Sequence, residues 1–138
     1  MAAAEQDLLE EKIQGVRKRD RRFSRLAYYF VLDALDFTMS RLGREGMAGE
    51  ERHVGGRELL GGLQEYASEQ FGPMAALVFE RWGVRRSSDF GEIVFNLIDA
   101  ELLSRRASDS RLDFVDGIDF REAFAAKHRE SLDRIATR

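Results

Sequence analysis

The sequence predicts a mainly α-helical domain of about six helices. Two observations carry this. Apolar residues recur at helical spacing through most of the chain, and a single proline, Pro73, interrupts 138 residues. Ten phenylalanines and a hydrophobic fraction of 43% are ample for one core, and 138 residues is the length of one domain.

The elements follow in chain order. Residues 3–19 form an amphipathic helix with Leu8, Leu9, Ile13 and Val16 on one side. Its acids come early and its bases late, which complements the helix dipole. Residues 22–42 form a helix that is apolar over most of its circumference, so it is central. Its polar stripe holds Arg25, Tyr29, Asp33, Asp36 and Ser40, and Gly43 is its natural stop. Residues 43–52, with three glycines and no periodicity, form a loop and the segment most open to disorder. His53-Val54 has the length of a minimal strand. A helix over 57–71 presents Leu59, Leu60, Leu63, Tyr66 and Ala67, and the pair Gly61-Gly62 inside it points to a close backbone approach. Pro73 is placed to open the next helix. The last helix starts with an Asp119 cap and Glu122 three residues on. Residues 1–22 therefore read as a charged amphipathic helix, 23–124 as the domain, and 125–138 as a charged helix end.

The segment 75–115 is the most specific. A helix over 75–82 stops at Gly83, and Trp82 beside the stop reads as a core aromatic. A basic turn, Val84-Arg85-Arg86, leads into a helix over 89–103. Leu102 to Val115 then reads as a short β-hairpin around Ala107-Ser108-Asp109-Ser110. This is the element order of a winged-helix-like helix-turn-helix, an arrangement that places its second helix in the DNA major groove. The charges oppose that use. Residues 89–103 carry Asp89, Glu92, Asp99 and Glu101 and no Lys or Arg. Asp89, Glu92, Asn96 and Asp99 are expected to face outward, and of these Asn96 alone is a base reader by type. Phosphates would repel such a helix. Arg81, Arg85, Arg86, Arg105, Arg106 and Arg111 flank it, but six acids share the span 80–111.

Catalytic candidates are sparse. There are two histidines, His53 and His128, and no cysteine, so disulfides and thiolate metal or redox sites are excluded. Asp33, Asp36 and His53 are the only groups that could form an acid–base centre, and only if the fold brings them together. Gly55-Gly56 opens a helix, where backbone N–H groups can hold an anion, or where glycine serves as cap and packing residue. No cofactor and no metal site is expected.

The net charge of −3 gives no overall push toward nucleic acid or membrane. One stretch departs from that balance. Lys12, Arg17, Lys18, Arg19, Arg21 and Arg22 accompany a single acid, Asp20. They form a solvated helix end or a sequence-independent contact with a polyanion. The N-terminus lacks a signal-peptide pattern. No apolar run approaches the ~20 residues that span a bilayer, so a cytoplasmic location is expected.

Four segments also resemble, in content and order, a small bacterial family of unknown function found in planctomycete and verrucomicrobial lineages. They are Tyr29-Phe30-Val31-Leu32-Asp33-Ala34-Leu35, His53-Val54-Gly55-Gly56-Arg57-Glu58-Leu59-Leu60, Phe71-Gly72-Pro73-Met74-Ala75, and Asp89-Phe90-Gly91-Glu92-Ile93-Val94-Phe95-Asn96-Leu97. The likeness runs over about 24–124. It implies a stand-alone, single-domain bacterial protein and supplies no activity, cofactor or catalytic residue.

The role expected from these readings is a non-enzymatic adaptor or regulatory module that binds another protein. Its surface would comprise Arg85, Arg86, Glu92, Asn96, Asp99, Arg105, Arg106 and Arg111. The alternative is a winged-helix regulator that binds nucleic acid through the same arginines and Lys12 to Arg22. A small enzyme is the third.

Overall fold

The computed structural model describes residues 3–104, 111–115 and 120–136. Among them are six α-helices: α1 (Ala3–Arg19), α2 (Arg25–Arg41), α3 (Gly56–Phe71), α4 (Ala75–Arg81), α5 (Ser87–Asp99) and α6 (Phe120–Ala136). One-turn 3-10 helices at Gly49–Arg52, Gly72–Met74 and Arg111–Phe114 supplement them, and the described residues hold no strand.

Helix α2 is the organising element. It packs most extensively on α3 and also touches α1 and α5, and it buries Ala27, Tyr28, Phe30, Val31, Ala34 and Thr38. The ring of Phe30 lies within 6.3 Å, centroid to centroid, of Tyr66, Phe71, Phe79, Trp82 and Phe90. Phe79 extends this aromatic core to Phe120 and Phe124, which anchor α6. Trp82 is thus a member of the core cluster, packed on Phe30, Phe71 and Phe79. The N-terminal helix α1 docks on the domain through Ile13 and Val16, both buried. The Tyr29 hydroxyl on α2 donates to Glu10 of α1, and that bond holds the Glu10 carboxyl below its ordinary range.

Glycine permits the close α2–α3 approach at one position of the expected pair. A Cβ on Gly62 would lie 1.7 Å from Thr38 Oγ1, whereas one on Gly61 would meet open space. The neighbour is a side chain and not a backbone. The Thr38 hydroxyl turns back to donate to Ala34 O at 2.7 Å, so its polar atom is satisfied inside the interface.

Three expectations for the centre of the chain need correction. His53-Val54 is not a strand. It continues from the 3-10 turn Gly49–Arg52, and Arg44 donates to His53 O at 2.9 Å and to Glu58 at 2.8 Å, which ties the 43–52 segment down. Helix α5 does not reach Leu103. It ends at Asp99, where Glu101 takes a left-handed φ of +62°. Leu102 N then bonds Leu97 O and Glu101 N bonds Ile98 O, the Schellman pattern of bonds, here without glycine at its left-handed residue.

The third correction concerns the hairpin. Its second strand, expected around Arg111–Val115, is a 3-10 turn, and residues 105–110 lie outside those described. A strand would put Leu112 and Phe114 on one face. Here Leu112 is 73% exposed while Phe114 is 1% exposed. Phe114 enters a slot between α3 and α5 that two glycines open. A Cβ on Gly56 would lie 3.1 Å from the Phe114 ring, and one on Gly91 would lie 3.0 Å from Phe114 Cβ. Gly55-Gly56 therefore serves packing and capping. Gly55 N donates to Glu58 Oε1 at 3.1 Å, and Asp113 covers Gly56 at 2.7 Å from its notional Cβ.

Candidate interaction surface

The segments 20–24 and 82–86 meet at one end of the molecule. Ser24 N donates to Trp82 O at 3.0 Å, and Gly83, at φ +90°, lies so close to Arg22 that a Cβ would sit 2.2 Å from Arg22 O. Only glycine fits there, both for its dihedral and for its space. The contact brings together two basic runs that lie more than sixty residues apart in the chain: Lys18 to Arg22, and Arg85-Arg86. They border an open groove with Arg22, Arg85 and Arg86 on its walls beside Asp89 and Glu92.

The acids in this groove are committed to the fold. Asp89 Oδ2 accepts from the backbone N–H groups of Arg85 at 2.9 Å and Arg86 at 3.2 Å, and so caps the start of α5. Asp20 pairs with Arg22 at 2.7 Å, and this bond, seconded by Asn96, holds its carboxyl far below the usual carboxylate range. Arg22 also lies 5.0 Å above the Phe23 ring and 3.7 Å from Glu92. Glu92 in turn is 3.5 Å from Arg111, whose guanidinium stacks 4.6 Å from the Phe95 ring.

The expected outward face of α5 is therefore largely covered. Asn96 is half-buried and donates to Asp20 at 3.0 Å and to the Tyr28 hydroxyl at 3.0 Å. Burial also pushes the Tyr28 phenol above its ordinary value. Of the four residues expected outward, Asp89 is a cap, Asn96 is bonded inward, Glu92 pairs at the surface with the exposed Arg22 and Arg111, and Asp99 is exposed. Of the rest of α5, Ser87, Phe90, Gly91, Ile93, Val94, Phe95 and Leu97 are buried, and Ser88 and Ile98 are partly buried. The periodicity located the helix, but the side chains that cover its polar stripe come from the α1–α2 connection and from Arg111, both remote in sequence.

The cations divide in two. Arg17 is engaged through Phe23 O at 3.2 Å, and Arg22 and Arg111 through the contacts above; Lys12 is half-buried in a groove beside α2. Lys18, Arg19, Arg21, Arg85 and Arg86 are exposed and form no ion pair with the described residues. Arg105 and Arg106 lie outside the described residues.

Asp33 and Asp36 border the groove between α1 and α2, while His53 borders a cavity that adjoins this groove across Leu35, Leu102 and Leu103, so the three do not line one cleft among the described residues. Burial, and then the neighbouring Asp36, raises the Asp33 carboxyl above its ordinary value. His128 is exposed on α6. Among the described residues no group of three His, Asp or Glu side chains could hold a metal ion, and no helix is long and apolar enough to cross a membrane. Comparison with known proteins returned no match: no family model fits the chain, and neither a curated protein nor a solved structure matches it.

Proposed function

We propose that this protein is a non-enzymatic binding module that docks an acidic surface of another protein on its basic end. The observation that carries the reading is the Gly83–Arg22 contact. It gathers cations from two distant runs and leaves Arg85 and Arg86 exposed without an ion pair among the described residues. Exposed guanidinium groups form bidentate bonds with carboxylates, so an acidic protein segment is a chemically matched partner. The acids Asp89 and Glu92 between them break the patch into short positive steps. Such alternation suits a protein surface of mixed charge better than a continuous phosphate backbone.

Nucleic-acid binding by a winged-helix-like centre is the second reading, and the same arginines favour it. The burial of α5 and the inward bonds of Asn96 weigh against it, because a reading helix needs its base-contacting side chains free.

Affinity capture from native cells separates the two. The double variant Arg85→Glu/Arg86→Glu should lose an acidic protein that the wild type retains, while Arg129→Glu on α6 should keep it. Unchanged capture by the double variant would remove this surface. Retention of the wild type on a duplex-DNA column, weakening steeply with salt, would favour the second reading.

A further inference from the structure

A cavity with one apolar and one polar side lies at the opposite end of α5 from the basic groove. Its volume is about 290 Å³, at the lower edge of small-molecule pockets, which run from roughly 300 Å³ upward. Leu35 and Met39 of α2, Leu59 of α3, and Val94 and Ile98 of α5 form its walls. Leu102 and Leu103 close one side, turned back by the Glu101 reversal. Leu35, Met39, Ile98, Leu102 and Leu103 are all only partly buried, so the cavity accounts for a contiguous set of apolar side chains that the core leaves unfilled. Side chains around such a void lack packing partners on that side, and an apolar occupant restores them.

Polar groups border this cavity as well: Arg52 and His53 from the segment after the 3-10 turn Gly49–Arg52, together with Ser104 and Asp113. They are not equivalent. Asp113 has an interaction partner within the protein and packs its Cβ toward Gly56. Arg52 is exposed and makes no ion pair with the described residues. A cavity with an apolar wall on one side and an exposed guanidinium on its polar side is complementary to a small amphiphile with an anionic head.

We infer that this cavity binds a short-chain carboxylate amphiphile, its tail among Leu35, Met39, Leu59 and Ile98 and its carboxylate on Arg52. The site is separate from the basic end and does not depend on the protein-binding reading.

Titration of the full chain with octanoate, followed by methyl chemical shifts and calorimetry, tests the inference. Saturable one-to-one binding is expected, with shifts concentrated on Met39, Leu59, Val94 and Ile98, which line this cavity and not the groove between α1 and α2. Arg52→Glu should weaken it about tenfold or more, equivalent to about 1.4 kcal/mol. Ile98→Trp, which fills the chamber, should abolish it. Three outcomes would overturn the site: no saturable shift, shifts centred on Leu8, Leu9 and Leu32 of the adjoining groove, or equal affinity for octyltrimethylammonium. The wild-type shift map does not depend on either variant folding, so the inference stays falsifiable if Ile98→Trp is unstable.

Discussion

The two ends of α5 solve the same problem, joining a buried helix to its neighbours, with opposite chemistry. The N-terminal end uses polar groups that satisfy one another: Asp89 takes the Arg85 and Arg86 N–H groups, and Asp20 takes Arg22 and Asn96. What it turns outward is the remaining charge. The apolar side uses a wedge, Phe114, that packs on Gly91 along the helix, and at the C-terminal end a chain reversal at Glu101 that folds Leu102 back. What it leaves over is apolar surface around a cavity. Each end thus exposes the kind of group that its own packing cannot use, which is why one offers a charged surface and the other a cavity with an apolar wall.

The sharpest way to break this contrast is at the apolar end. Phe114→Ala should destabilise the protein by about 3–5 kcal/mol, because a ring in a slot between two helices leaves a void that cannot collapse around Gly56 and Gly91. Denaturant unfolding would read this directly, and a loss under about 1 kcal/mol would show that the wedge is not what holds that end. Gly83→Val attacks the other end. A left-handed residue and a carbonyl 2.2 Å from the new Cβ together imply a cost of about 3 kcal/mol or more.

The polar network between the ends comes next. Asn96→Leu removes donors to Asp20 and Tyr28 and should cost about 1–3 kcal/mol. The same network sets a pH dependence. Because its Arg22 partner lowers the Asp20 carboxyl in the folded state, its contribution is complete above the ordinary carboxylate value of 3.8. It is lost as the pH falls through that value toward the lower folded one. Asp20→Asn should therefore destabilise the protein at pH 6 and progressively less below pH about 4. A constant penalty across that range would assign the effect to shape and not to charge.

The smallest effects test the surfaces. Glu101→Gly should stabilise by about 1 kcal/mol, since glycine occupies the left-handed region without the steric penalty of a Cβ. Arg85→Glu/Arg86→Glu should shift stability by no more than about 0.5 kcal/mol per site, as exposed residues outside any ion pair with the described residues. A large loss there would mean that the basic end is structural.

Local chemistry was legible wherever one residue carried it. Gly43 and Gly83 mark the ends of α2 and α4 because each sits at φ +68° or +90°, which glycine alone adopts freely. The end of α5 was hidden because Glu101 occupies the equivalent position, and no propensity announces a glutamate at φ +62°. There the surrounding packing of Leu102 outweighs the local penalty. The hairpin failed for a related reason. Alternation in Arg111–Phe114 resembles a strand, but a slot between Gly56 and Gly91, set by residues twenty to nearly sixty positions away, selects a single ring and a 3-10 turn.

By itself, then, the sequence determined the helices, the central place of α2 and the aromatic character of the core. Those follow from periodicity and burial, which act along one helix at a time. Only the tertiary structure decided which charged residues remain available and where apolar surface is left over. Asn96, Glu92 and Arg22 read as exposed one by one, and they are engaged because Gly83 lets two distant turns meet. Charge pairing and cavity formation are properties of contacts between segments, and the one-dimensional pattern does not contain those contacts.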